Sequence, residues 1–494
     1  MSSTLAPQPE APPAPSDRRA DRRMWVAFSV ILTTTILNIL DSTIVNVAAP
    51  SIRADLAMST SSLEWIAAAY TLALAVGLMT GGRLGDVLGR RRVLLAGLTG
   101  FVATSVVCSL APNAGLLIGA RALQGLTAAL MVPQGFGLIR EVFPPHRRAK
   151  AFAAMGPAIG LSTVLGPVVA GLLIRADVLG TGWRSLFLIN VPLGLGALAV
   201  GWRVLPRSAP SHAGTRLDVV GTLLLAVASF ALVFPLVDGR TLGWPVWVFA
   251  VLVGSVPLFA LFIAQQRARL RAGRAPLVEI SLLRKPSYVA GVVFLMVFFG
   301  CVVGLSLAIG VFLQVGLGLS PFTASLYLAS LAVGSVFGAG VGAWAATAVG
   351  RPILHIGLTI MAVGSLVLFF SLRAAGADVG VLTLAPGLAL FGLGMGMIFV
   401  PLFSIVMGEI DDHEVGSATG LLSSVEQLGA SLGVAVLGTV FFNTIALEDG
   451  GPRAAMASGR HLLAAEHTLL VVVALIALAW GLGWRLPRKA RAMH

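Results

Sequence analysis

Charge is what this sequence has least of. Asp, Glu, Lys and Arg together make up 11% of 494 residues, too few to cover the surface of a soluble protein of this length. Cysteine is nearly absent as well: Cys108 and Cys301 lie in apolar runs without ligand spacing. A disulfide framework or a cysteine metal site is therefore excluded, and both read as packing residues. The few histidines scatter mainly over loops and ends (His146, His212, His413, His461, His467 and His494), so no metal set or nucleophile-and-base cluster marks an enzyme. No glycine-rich phosphate cradle ending in Gly-Lys-Ser/Thr occurs, which removes direct ATP hydrolysis. The short segments of alternating polarity that build outer-membrane barrels are missing too.

What the chain does have is length in its apolar runs. Hydrophobic residues make up 57% of the sequence, the mean hydropathy is +0.92, and fourteen runs follow one another from 24–49 to 464–484, one of them at 152–174. At ~1.5 Å per residue each run can cross a hydrocarbon core about 30 Å thick as a helix. The pattern predicts an all-α polytopic membrane protein. The runs group as six, two and six: a disordered Pro/Ala-rich tail over 1–23, a bundle over 24–206, a linker over 207–217, an extra helix pair over 218–265, a basic linker over 266–287, a second bundle over 288–485 and a tail over 486–494. The extra pair carries no membrane-buried charge and reads as a linker or packing pair.

An even number of spans puts both termini on one side. Most of the 34 Lys and Arg residues lie in the tails and in alternate loops on that side, which places both termini in the cytoplasm. The formal net charge of +13 is thus a topology signal, with no nucleic-acid partner required. Membrane lipids are the expected surroundings, with a monomer as the functional unit.

Ionisable groups within a hydrocarbon slab face a bundle interior, find a partner or carry ions. Three stand out: Asp41 in "LNILDSTIVNVAAP", Arg121 in "RALQG" and Glu426 in "SSVEQLG". Asn38 and Thr34 share a helix face with Asp41, a polar stripe suited to a water-accessible cavity. Asp41 then either binds and releases a proton or stays ionised and fixes helix contacts. Arg121, with Gln124 beside it, needs an anionic or carbonyl partner; a position near Asp41 would let it change that acid's affinity for protons. Glu426, next to Gln427, is a second proton site, a counter-charge for a cationic substrate, or a purely structural buried acid.

Glu64 in "LEWIAAAY" reads as an exposed carboxylate at a helix entrance, held by the helix dipole. Trp65 and Tyr70 read as interface or cavity aromatics, and Gln314 joins them at a cavity or entrance. "GGRLGDVLGRRR" (81–92) reads as a loop between the second and third spans, its Gly82, Gly85 and Gly89 allowing close approach around Asp86, Arg90 and Arg91. Its glycine spacing points to a conformational latch. "GLSTVLGPVVAG" (160–171), with Gly160, Gly166, Pro167 and Gly171, reads as a bendable, closely packed helix.

Taken in order, "LDSTIVNVAAPSI", "GGRLGDVLGRRR", "RALQG", "GLSTVLGPVVAG", "WRSLFLINVPLG", "LDVVG", "FLQVGLGLSP" and "GSATGLLSSVEQLGASLG" resemble the fourteen-helix drug:proton antiporters of the major facilitator superfamily. The likeness runs from about 24 to 485. It implies two six-helix bundles with two additional central helices in a bacterial inner (plasma) membrane. It also implies export of amphipathic, often cationic or aromatic compounds in exchange for protons, with protons as the coupling ion and no cofactor. By the same likeness Asp41 and Arg121 serve proton coupling, Asp86 and Arg90 the gate, and Gly166 with Pro167 limit leak. Glu426 departs from the family pattern, in which arginine is common at this position, and Glu64 replaces a more usual glutamine. The alternative is a narrow exporter of one endogenous metabolite or other small solute.

Overall fold

The computed structural model describes residues 18–144, 147, 151, 154–155, 162, 166, 168–177, 180–207, 217–239, 241–274, 276–375, 379–407, 410, 415–446 and 458–488. Every regular element among them is helical. The long helices are α1 (Arg18–Asp55), α2 (Thr60–Leu88), α3 (Arg90–Ser109), α4 (Ala114–Val142), α5 (Asn190–Val204), α6 (Val219–Asp238), α7 (Val246–Arg271), α8 (Pro286–Val311), α9 (Pro321–Val349), α10 (Pro352–Ala375), α11 (Val381–Val406), α12 (Val415–Ala446) and α13 (Ser458–Gly483). A 3-10 turn, Gly182–Arg184, and the short helix Ser185–Leu188 lead into α5.

Thirteen spans among the described residues are long and apolar enough to cross a membrane. The run expected at 152–174 falls largely outside those residues, and so do Gly160 and Pro167. The tail expected through residue 23 is helical from Arg18, and α7 continues to Arg271, into the stretch expected to be linker.

Local chemistry sets the helix starts. Ser59, Asn113, Asp218 and Ser320 each accept a backbone N–H of the first turn, from Ser62, Leu116, Gly221 and Thr323, so one otherwise unpaired donor of each helix is satisfied. Pro286 and Pro321 stand where a helix has no use for their missing N–H.

Between helices, glycine sets the distance. A Cβ on Gly81 would lie 2.1 Å from the Ala129 carbonyl oxygen, and one on Gly125 would lie 2.3 Å from that of Tyr70, so α2 and α4 meet backbone to backbone. Gly429 and Gly433 do the same for α12 against Met296 and Gly300 of α8.

α1 to α5 pack among themselves, and α8 to α13 likewise. The two halves meet where α2 lies against α12 and where α1 touches α8 and α9. α6 packs on α7, and also on both α2 and α12. The end of the bundle where α1 begins is the terminal end, and the end where Asp55 meets Trp183 and Arg184 is the far end.

Contacts across the halves gather toward the far end. Gln314 Nε2 donates to the Val47 carbonyl at 2.9 Å, and the Thr71 and Ser431 hydroxyls are 2.5 Å apart. A Cβ on Gly171 would stand 2.8 Å from Phe322 Cα. Gln314 sits in a π-helical turn, Phe312–Gly316, at the end of α8; such a turn displaces a side chain from the regular helical face.

Candidate functional site

Asp41 is fully buried, at 0% exposure, and Arg121 is 1% exposed. The water-accessible cavity expected around Asp41 is therefore not where the acid lies. α3, α4 and the start of α5 close over it: α4 and α5 supply donors to the carboxylate, and α3 supplies Ser105, which binds two of those donors. Arg121 Nη1 donates to Asp41 Oδ2. Gln124 Nε2 and Asn190 Nδ2 donate to Asp41 Oδ1 at 3.0 and 2.9 Å. Both amides also reach the Ser105 hydroxyl, at 2.9 and 3.3 Å.

Arg121 is held from several directions. Its Nη1 also donates to Gln124 Oε1 at 2.8 Å, and its Nε donates to the Ile66 carbonyl of α2 at 3.1 Å. The guanidinium lies 4.1 Å from the centre of the Tyr70 ring, a cation–π contact strengthened by the absence of water. The Tyr70 hydroxyl donates to Asn38 Oδ1 at 2.5 Å. The spacing within "RALQG" explains the geometry: Arg121 and Gln124 share a face, and Gly125 brings that face onto α2. A charge pair so fully desolvated and hydrogen-bonded holds while both partners are charged. Removing one charge leaves the other stranded, at a cost of ~3–5 kcal/mol.

Asn190 and Ser105 belong to this cluster and were not singled out from sequence, although an amide in the apolar stretch "LFLINVPLG" is a usable signal. Cys108 was expected to pack only; its Sγ lies 3.6 Å from Gln124 Oε1.

Glu426 and Gln427 are elsewhere, on α12. Both are partly buried, with Gln427 Nε2 3.4 Å from Glu426 Oε1, and none of the ion pairs among the described residues includes Glu426.

Glu64 is not an exposed helix-entrance acid. It is fully buried because α12 packs over it: a Cβ on Gly438 would stand 3.1 Å from the Glu64 carboxyl carbon. Trp65 turns to the extra pair, donating from Nε1 to Asp238 Oδ2 at 2.7 Å.

The segment 81–92 is not a loop either. α2 runs through Leu88, Gly89 alone breaks it with φ 91°, and α3 starts at Arg90; glycine is the residue that takes this backbone without strain. Arg90 pairs with Asp86 at 3.1 Å and with Glu141 of α4 at 3.6 Å, packing where Gly137 leaves room. Arg91 donates to the Trp202 carbonyl. A Cβ on Gly85 would run into the Gln134 side chain, whereas one on Gly82 would meet only Pro133, at 3.8 Å. All these contacts lie within the first half, so the cluster ties α2, α3, α4 and α5 to each other. Gly166 faces α1, where a Cβ would lie 2.2 Å from Thr43 Oγ1.

Comparison with known proteins follows the same lines. The sequence profile of the Major Facilitator Superfamily matches residues 31–434. A protein of Streptomyces coelicolor named "Probable actinorhodin transporter" is 45% identical over 457 residues, 90% of this chain and 79% of that protein. The "Tetracenomycin C resistance and export protein" of Streptomyces glaucescens is 32% identical, over 86% of this chain and 77% of its own. The "Puromycin resistance protein pur8" of Streptomyces alboniger is 33% identical, over 88% and 86%. Among solved structures, the xylose transporter XylE from E. coli, in a partially occluded inward-open conformation, superposes with a TM-score of 0.59 at 17% identity, covering 93% of this chain and 98% of that one.

Proposed function

Because the chain belongs to the Major Facilitator Superfamily, we propose that it exports amphipathic, cationic or aromatic antibiotic-like compounds from the cytoplasm in exchange for protons. Its relatives' names as antibiotic transporters and resistance proteins support the cargo class. The buried Asp41–Arg121 pair is the observation that carries the coupling.

In this reading the protein has fourteen spans, with 152–174 as the fifth. Two bundles, 24–206 and 288–485, flank the extra helix pair, which begins after the linker 207–217 and runs to Arg271, before the remaining linker that ends at 287. The tails 1–23 and 486–494 lie in the cytoplasm, and the protein works as a monomer in a bacterial plasma membrane without a cofactor. The close contacts at the far end then describe a molecule closed to the outside.

A proton on Asp41 removes the negative partner of Arg121. The guanidinium keeps the Ile66 carbonyl and the Tyr70 ring, both on α2, so the charged link from α4 to α1 is lost while α4 and α2 remain joined, and α1 is left with the neutral hydrogen bonds of Gln124, Asn190 and Tyr70. That change in helix contacts favours the outward-open arrangement, where cargo leaves. Loss of the proton to the cytoplasm restores the pair. Glu426 and Gln427 attract cationic cargo to the second half, and Asn38 and Gln124 respond to the state of Asp41. One proton entering supplies about 2.3 kcal/mol per 100 mV, plus about 1.4 kcal/mol per pH unit, enough for an appreciable outward gradient of a neutral compound.

The experiment is substrate-dependent proton flux in vesicles. An Asp41→Asn variant present at wild-type levels in the membrane should lose coupled flux, and undiminished flux would remove Asp41 from the mechanism. Relatives named for single antibiotics favour a second reading, an exporter of one endogenous compound. Efflux of one member of a dye-and-antibiotic panel, without competition from the others, would select it.

A further inference from the structure

We propose that α6 and α7 form a lateral shield, fixed to α2 and sliding on α12, that closes one seam between the halves to lipid throughout the transport cycle. The proposal rests on the transport reading above.

The attachment to α2 is made at both ends. Toward the far end Trp65 donates to Asp238. Toward the terminal end the Thr80 and Thr222 hydroxyls are 2.8 Å apart, and Arg83 Nη2 donates to the Pro276 carbonyl at 3.1 Å. Pro276 belongs to a braced unit. Asp218 caps α6 and accepts from Gln265 and Gln266 of α7 at 2.9 and 2.7 Å, with Arg269 Nε at 3.3 Å. Gln266 Oε1 in turn accepts the Leu277 N–H at 2.6 Å. One carboxylate thus joins the start of α6, the end of α7 and the segment after it. Met79 of α2 shares a buried cluster with Phe262, Leu277 and Val278 of that unit.

Toward α12 the contact has a different character. Val233 and Val237 share an apolar cluster with Leu428, Leu432 and Ala435 of α12 and with Ala68 and Leu72 of α2; to α12 this packing is supplemented by a hydrogen bond from Thr439 Oγ1 to the Leu236 carbonyl at 2.7 Å, whereas to α2 it is supplemented by the polar links above. Smooth apolar faces permit the small sliding movements that packed helices make, whereas three polar links spread along α2 resist them. Ala435 is fully covered. Beside it Trp65, Phe230, Phe234 and Trp247 stack at centroid separations of 5.7, 5.4 and 6.2 Å. An apolar cargo dissolved in the bilayer would then enter between the halves from the opposite seam, where the segment at Gly171 meets α9.

Reversible cross-links test the attachment, with Cys108 and Cys301 left in place because both are buried. Oxidising a Thr80→Cys/Thr222→Cys variant should leave efflux within about twofold of its reduced form. Bridging Leu236→Cys to Thr439→Cys with a short bis-thiosulfonate should lower efflux by roughly tenfold or more, with recovery on reduction. Loss of efflux in the first variant, or none in the second, overturns the fixed-and-sliding assignment. Ala435→Cys tests the seal without any cargo: a membrane-dissolved maleimide should leave it unmodified with and without an imposed proton gradient, and modification overturns the shield. Absence of export from the reduced proteins would count against the exporter reading alone.

Discussion

Asp41 takes its surroundings from α1, α3, α4 and α5, and those neighbours set what each substitution does. Arg121→Lys keeps the charge, but a single ammonium cannot serve Asp41, Gln124 and the Ile66 carbonyl from one rigid fork. Efflux should fall at least roughly tenfold at unchanged membrane abundance, as measured by dye extrusion. Asn190→Ala removes a donor from a buried carboxylate and should destabilise the detergent-solubilised protein by ~1–3 kcal/mol, seen as a lower Tm. Outside the membrane, Asp55 offers a contrasting pH test. Hydrogen bonds from Arg184 and Trp183 hold its carboxyl below the usual range. Its stabilising contribution is present above the unfolded value of ~3.9 and disappears as pH falls through the lower folded value. Asp55→Asn should therefore lower Tm at neutral pH, with the gap from wild type closing in strong acid. Asp41 and Arg121 were legible in the sequence because charge in an apolar run stands out, and Gln124 because it shares a helix face with Arg121. Asn190 and Ser105 were less so, since neutral polar groups are common in membrane helices. The expectation of an exposed Glu64 fails because its burial comes from α12, far along the chain.

Among the elements, α2 and α4 show how closely sequence spacing sets geometry. Gly77, Gly81 and Gly85 recur every fourth residue and face Ala129 and Gln134 of α4. Gly81→Ala must push two backbones apart and should cost ~1–3 kcal/mol. Gly119→Ala, on α4 but with open space around it, should leave Tm unchanged or raise it slightly, since alanine favours the helix by up to ~1 kcal/mol; comparing the two separates packing from helix propensity. The run pattern likewise anticipated the thirteen spans of the described residues, since length and apolarity follow from hydrocarbon thickness. It did not give their ends: a run of charge such as "GGRLGDVLGRRR" looks like a loop, yet its Asp86 pairs with Arg90 across the helix junction, Glu141 of α4 pairs with the same guanidinium, and the winding continues to Gly89.

For the whole molecule, the state described here is joined across its halves toward the far end, while the Asp86–Arg90–Glu141 cluster holds the terminal end of the first half together from within. Oxidation of a Thr71→Cys/Ser431→Cys variant should trap this state and reduce efflux to background, with recovery on reduction. Which helices lie between the halves could not be read from the run pattern, because the order of spans along a chain does not fix their neighbours in space.

The contacts of Arg121 on α2 reach further than the pair with Asp41. The same helix offers the Ile66 carbonyl and the Tyr70 ring to the guanidinium, the Thr71 hydroxyl to α12, and Trp65, Thr80 and Arg83 to the extra pair and its linker. α2 is thus placed as a driveshaft, its one rigid length joining the guanidinium to the second half and to the extra pair.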